Sequence, residues 1–206
     1  MGISLGQPLQ PDHPVISGAV FQVVNLWSQI DMNLAYMLCH MTQHEPETDI
    51  EIYLAIKSLS KRHEKLIAIA ERLLTKSDHC LINATIAEFG PSQRVRNSFC
   101  HGVWGLLRDQ PDRWLLMTVE DAARYYSAIM QTAAAGGVPD TTLDQLNIYA
   151  WKERDFVEAV EEAKLAHNRI GSLNWAVGPM QKDYLRDRIL ETGNVRTRYD
   201  RLMARV

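Results

Sequence analysis

The chain holds 206 residues, 46% of them hydrophobic and 23% charged, with a formal net charge of −3. That length fits one domain with appendages, and that apolar content excludes wholesale disorder. The mildly acidic balance gives no global attraction to nucleic acid, so any nucleic-acid surface has to be local.

Residues 1–14 read as an extended, Gly- and Pro-punctuated segment, with no basic stretch leading into an apolar run as a signal peptide has. Gly6 stands where a myristoylation motif needs Ser or Thr. Ile16, Val20, Val23, Trp27, Ile30, Leu34 and Leu38 then recur in steps of three and four, which predicts one face of a long helix with Pro46 after its end. The stretch from about Thr48 to Lys76 reads as a second long amphipathic helix. Its apolar residues are Tyr53, Ile56, Leu59, Leu66, Ile69, Ala70, Leu73 and Leu74, and the acids Glu45, Glu47, Asp49 and Glu51 lie near its positive end.

Asp78 is suited to cap a third helix running to Phe89, which Gly90-Pro91 interrupts. A fourth helix starts at Pro91, a residue tolerated in a first turn, and stops near Gly102. Asp109-Gln110-Pro111-Asp112 reads as a turn, and Trp114 to Val119 is apolar and partly β-like. Val119, Ala122, Tyr126, Ile129 and Ala133 have helical spacing, yet Tyr125–Met130 can also pair as a strand with Trp114–Val119. The sequence leaves both open. Gly136-Gly137-Val138-Pro139 is a linker. Thr142 or Asp144 then opens a long helix through Ile170, with Leu146, Phe156, Val160, Ala163 and Ile170 inward. The tail from Tyr184 sets Arg186, Arg188, Arg196, Arg198, Arg201 and Arg205 against Asp187, Glu191 and Asp200.

Cys39, Cys80 and Cys100 are odd in number, widely spaced and without a CxxC pair, which argues against a disulfide framework, a zinc ribbon or a thioredoxin-type site. Scattered thiols fit a reducing compartment. No apolar run approaches the ~18 residues needed to cross a bilayer. The expected address is therefore the cytoplasm, with no membrane partner.

The segment Arg94-Val95-Arg96-Asn97-Ser98-Phe99-Cys100-His101-Gly102 carries the chemistry. On a helix, Asn97 and His101 are four apart and share a face, and Arg94, seven from His101, joins them. Arg96, five from His101, falls well round the cylinder unless the helix unwinds near Gly102. RNA cleavage by its own 2′-hydroxyl needs a base for the hydroxyl proton and a cation for the phosphorane charge. Histidine exchanges protons near neutrality, and arginine forks onto phosphate; neither step requires a metal or other cofactor.

Here the sequence resembles the HEPN superfamily, helical domains in which an arginine, often followed by a polar residue, precedes a histidine by four to six residues. Arg96-Asn97 with His101 has four between, and Arg94 has six. His101-Gly102-Val103-Trp104, the two long helices before it, and Thr141-Thr142-Leu143-Asp144-Gln145-Leu146 ahead of a later helix are similar too. The resemblance implies a mainly α, HEPN-like helical bundle over 15–172, with a small β-hairpin or extra helix inserted after the motif helix. An Arg-rich helical extension would occupy 173–206. It further implies a metal-independent endoribonuclease of the toxin–antitoxin or defence kind, acting as a homodimer with two motif helices facing each other. RNA is the expected substrate and a cognate antitoxin or regulatory protein a further partner. His101 would be the general acid or base, Arg96 the phosphate contact and Asn97 the orienting group, while Arg94 would add charge for RNA.

Other readings stand beside this one. A histidine before glycine at a helix end can simply satisfy terminal carbonyls and the helix dipole. The same helical face would then serve a non-catalytic interaction module that dimerises or binds a nucleotide or protein partner. His40 and His44, with Cys39 and Glu45 nearby, have a zinc-compatible spacing without an evident second ligand group, and His63-Glu64 lacks a zincin's second histidine. Cys100 beside His101 cannot face it, so a buried small side chain is expected there. Trp27, Trp104, Trp151 and Trp175 read as core or interface anchors rather than base-stacking platforms. The tail arginines, interleaved with acids, read as a solvated face before a phosphate patch.

Overall fold

The computed structural model describes residues 3–5, 13–43, 46–107, 110–137, 148–178 and 182–204. In chain order these form β1 (Ile3–Leu5), α1 (Pro14–Thr42), α2 (Pro46–Ala55), α3 (Leu59–Leu73), α4 (Lys76–Glu88) and α5 (Gly90–His101). There follow β2 (Val103–Leu107), β3 (Gln110–Met117), α6 (Val119–Ala134), β4 (Ile148–Trp151), α7 (Glu153–Val177), α8 (Asp183–Leu190) and α9 (Val195–Met203). Among the described residues the protein is thus mainly α-helical, with one small antiparallel sheet. It comprises two compact units, one of Met1–Asn25 and Gln93–Glu162, the other of Leu26–Ser92 and Ala163–Val206.

The expected face of the first helix is buried in α1 at all seven positions, from Ile16 to Leu38. Gln43 closes this helix with φ +54°, the left-handed conformation common just past a helix end, and its N–H bonds the Cys39 carbonyl at 3.0 Å.

In the first unit the sheet order is β1-β2-β3-β4, with every neighbour antiparallel. β3 carries Trp114, Leu115, Leu116 and Met117 buried in succession, so both its faces are covered, as suits an inner strand. Gln110, Pro111 and Asp112, expected in a turn, belong instead to β3; Asp109 lies outside the described residues. The β2–β3 register breaks between Leu106 and Leu107, and this irregularity accommodates a proline that cannot donate to a ladder. Tyr125–Met130 is helical, which settles the open alternative for α6. Thr118 starts this helix with a reciprocal cap: it accepts from the Asp121 N–H at 3.0 Å and donates to that carboxylate at 2.9 Å. Of the expected row Val119, Ala122, Tyr126, Ile129 and Ala133, Ala122 is buried and Ile129 half-buried, whereas Val119, Tyr126 and Ala133 are exposed and Asp121 and Tyr125 turn inward beside Ala122.

The long helix expected from Thr142 or Asp144 is corrected too. Ile148–Trp151 pairs with Trp114–Met117 as β4, and α7 begins only at Glu153, where the Lys152 N–H bonds Asp155 at 2.8 Å. Phe156, Val160, Ala163 and Ile170 are buried as expected, while Thr142, Asp144 and Leu146 lie outside the described residues.

The second unit corrects the Thr48–Lys76 helix, which breaks at 56–58 into α2 and α3. Ser58 caps α3 through the Lys61 N–H, and Arg62 fixes the break by donating Nε to the Ile56 carbonyl at 2.6 Å and Nη2 to the Leu54 carbonyl at 2.9 Å. Its Nη1 pairs with Asp31 on α1, and its guanidinium lies 5.5 Å from the Tyr53 ring centroid. Tyr53, Leu66 and Ala70 are buried, but Leu73, at the last position of α3, is half-exposed. Thr75, not Asp78, caps α4: Asp78 sits three residues on, returns its N–H to the Thr75 hydroxyl at 3.2 Å and accepts that hydroxyl at 2.7 Å. α4 packs against α3 and α9, and α9 against α8.

Candidate functional site

Helix α5 presents the motif, and the ring of Phe99 sets its rotation. Phe99 is buried and its centroid lies 5.0 Å from Trp151, 5.6 Å from Trp104 and 5.6 Å from Phe156. Trp104 and Phe156 are in turn 5.9 Å apart. Such aromatic contacts contribute beyond their buried area and fix one side of the helix against β2, β4 and α7 within the first unit. At about 100° per residue, Asn97, Arg94 and His101 then fall on the opposite side, about 140–160° from Phe99. Arg94 and His101 are accordingly exposed and Asn97 half-buried.

The end of the helix is equally constrained. The Gly102 N–H bonds the Ser98 carbonyl at 2.8 Å, so regular helical geometry persists through His101. A Cβ on Gly102 would stand 2.3 Å from Leu116 Cδ1 and 2.5 Å from the Ser98 carbonyl oxygen. Only glycine lets the chain pass directly from α5 into β2 against the buried Leu116, and this corner holds His101 at the last helical position.

The helix therefore does not unwind, and Arg96 stays about 140° from His101, on the flank nearer Phe99. It is half-buried, donates Nη1 to the Asn97 side-chain oxygen at 3.0 Å, and has an Nε shielded from solvent without a partner. The structure thus brings Arg94, Asn97 and His101 to one face and ties Arg96 to that face through Asn97. Among the described residues neither arginine has a carboxylate partner, and the His101 ring makes no hydrogen bond, to terminal carbonyls or otherwise. Ser98, which interrupts the face, donates its hydroxyl to the Arg94 carbonyl at 3.0 Å.

Cys100 was expected to be buried and is exposed, because it sits about 100° from Phe99 and misses the aromatic cluster. Trp104 and Trp151 are anchors of that cluster and Trp27 is buried, whereas Trp175 is half-exposed with the Lys182 amine 5.2 Å from its ring. His40 hydrogen-bonds the Asn174 side chain at 2.9 Å, while its expected companions His44 and Glu45 lie outside the described residues. No group of three or more His, Cys, Asp or Glu among the described residues is placed to hold a metal ion. No helix among them is long and apolar enough to cross a membrane.

Sequence reasoning missed Phe99 and Leu116 as the residues that aim the motif. Their signal was the aromatic and apolar run around the motif, Phe99, Trp104 and Trp114–Met117. Comparison of the chain with protein-family models, curated proteins and solved structures returns no match.

Proposed function

We propose that the protein is a metal-independent endoribonuclease of the HEPN type, with α5 as its catalytic element. The observation that carries the reading is the state of His101: an exposed imidazole at a rigid helix end, on one face with Arg94 and Asn97, without a hydrogen bond among the described residues. His101 takes the 2′-hydroxyl proton of RNA, the 2′-oxygen attacks the adjacent phosphorus, and the 5′-oxygen leaves as a proton is returned to it. The phosphorane gains charge as it forms, and arginine forks are suited to it. Arg94 lies on His101's own face. Arg96, carried round the helix, orients Asn97 and meets phosphate from a neighbouring motif helix, which is why two copies facing each other about a two-fold axis make a complete site. In an acidic protein the second copy also doubles the local cationic charge.

The test is cleavage of single-stranded RNA by the full chain, with and without chelator, for wild type and His101→Ala. Wild type should cut in both conditions and the variant in neither. Dependence on a divalent cation, or undiminished cutting by His101→Ala, overturns the mechanism.

A non-catalytic interaction module is the second reading, and one feature favours it. From Tyr125 to Gly137 the chain carries no charge, and Tyr126 and Met130 on this stretch are 47% and 70% exposed. Exposed uncharged helix surface of that kind suits a protein partner such as a cognate antitoxin or regulator.

A further inference from the structure

The second unit holds a cleft of about 340 Å³, a size suited to a small ligand, with Arg169 of α7 and Arg188 of α8 on its walls. Neither guanidinium is paired with a carboxylate among the described residues, and no acidic side chain among them lines the cleft. Glu88 is committed elsewhere, forming an ion pair with Arg198 Nε at 3.4 Å and accepting from the Asn194 N–H at 3.3 Å. The guanidinium of Arg169 is held 5.9 Å from the Phe89 ring centroid, and its Nε is shielded from solvent with no acceptor.

Two further donors stand beside the arginines. The Asn168 amide and the Ser172 hydroxyl, one turn apart on α7, also line the cleft and take no partner among the described residues. Thr192 differs, since its hydroxyl proton goes to the Ile189 carbonyl at 2.7 Å. Two forked cations and two neutral donors lining one cleft from two helices exceed what the two oxygens of a carboxylate accept. A terminal phosphate, with three oxygens free and near two negative charges, matches them. Leu165 and Ile189 supply an apolar wall for whatever the phosphate is attached to.

We infer that this cleft binds the terminal phosphate of a small molecule, either free phosphate or a phosphomonoester. The site is separate from the α5 motif and does not depend on the ribonuclease reading.

The experiment is calorimetric titration of the full chain with inorganic phosphate, with 5′-AMP and with malonate, all at matched ionic strength. Wild type binds both phosphate probes and not malonate. Equal affinity for the two identifies free phosphate as the source, and tighter binding of 5′-AMP identifies a phosphomonoester. Arg188→Gln, whose side chain is exposed, keeps the melting temperature of the free protein and weakens binding at least about tenfold, as loss of a charge-assisted contact does. Ser172→Ala weakens it about three- to tenfold. Arg94→Gln, in the α5 motif, binds the probes as wild type does. The inference fails if wild type binds neither phosphate probe or binds malonate equally well. It also fails if Arg188→Gln binds undiminished, or if Arg94→Gln abolishes binding.

Discussion

Two sets of arginines, Arg94 and Arg96 on α5 and Arg62, Arg186 and Arg198 in the second unit, look alike in sequence and live in opposite states. Arg62 has each of its three nitrogens engaged, by Asp31 and by the carbonyls of Leu54 and Ile56. Arg186 bonds Ser77 at 2.7 Å and pairs with Asp78, while Ser77 meets the Tyr199 hydroxyl at 2.9 Å. Arg198 pairs with Glu88. On α5, Arg94 and Arg96 have no carboxylate partner among the described residues, and there Arg96 reaches only the neutral amide of Asn97. A guanidinium already surrounded by its own fold is structural. One left open is available to an anion, and the count of arginines in a segment does not distinguish the two.

This contrast predicts a crossed outcome for loss of function and loss of stability. His101→Ala is expected to lower RNA cleavage by about 10²–10⁴-fold, the usual cost of a general acid–base group, and to leave thermal melting unchanged. Arg96→Lys keeps charge without the planar fork and should also lose most activity. Arg186→Ala should do the reverse. It leaves Asp78, nearly buried, without its cation, at a cost of about 2–4 kcal/mol in chemical denaturation, while cleavage by the folded fraction is kept. Equal stability losses for Arg186→Ala and Arg94→Ala would dissolve the distinction.

The next test bears on the scaffold that aims the open group. Gly102→Ala forces a methyl onto Leu116 and the Ser98 carbonyl, and the carbonyl cannot yield without unwinding α5. Overpacking of this kind costs about 1–3 kcal/mol. Because the helix end must shift, cleavage should fall as well, which separates Gly102 from Arg186. A Gly102→Ala protein as stable and active as wild type would mean that the α5–β2 corner does not set His101.

What was legible in the sequence follows from range. The α1 face was readable because seven apolar residues repeat at a helical step without interruption. α5 was readable because Gly90-Pro91 and Gly102 bracket it, and the shared face of Arg94, Asn97 and His101 then needs only helical geometry. The break between α2 and α3 was not readable, since it is held by the side chain of Arg62 reaching back to carbonyls and across to Asp31, a contact 31 residues away. β4 was missed for the same reason. Four residues of strand carry too short an alternation to notice, and only pairing with β3 reveals them. On α6 the burial of Ala122 was legible, but that of Asp121, the partner of the Thr118 cap, was not, because apolar periodicity does not anticipate a buried carboxylate.

A pair of histidines sharpens the comparison last. His101 is open, whereas His63 on α3 is largely sealed. Burial, and then the neighbouring Arg62 charge, pull the His63 pKa from 6.5 down to about 4, and its Nε2 has no partner. The folded state therefore resists protonating His63, and between pH 6.5 and about 4 the unfolded chain binds the extra proton. Stability from this residue is complete above pH 6.5 and declines as pH falls through that window. At pH 5 the loss should be about 1–2 kcal/mol, the upper figure applying if the site stays dry. Urea unfolding at pH 7 and pH 5 measures it. Other groups also take up protons on acidification, so the readout is the difference between wild type and His63→Gln, which has no proton to gain there. His63→Gln should lose less stability than wild type over that drop. Identical pH slopes for wild type and His63→Gln would show that His63 is not the sealed group, and the contrast between the two histidines would fall.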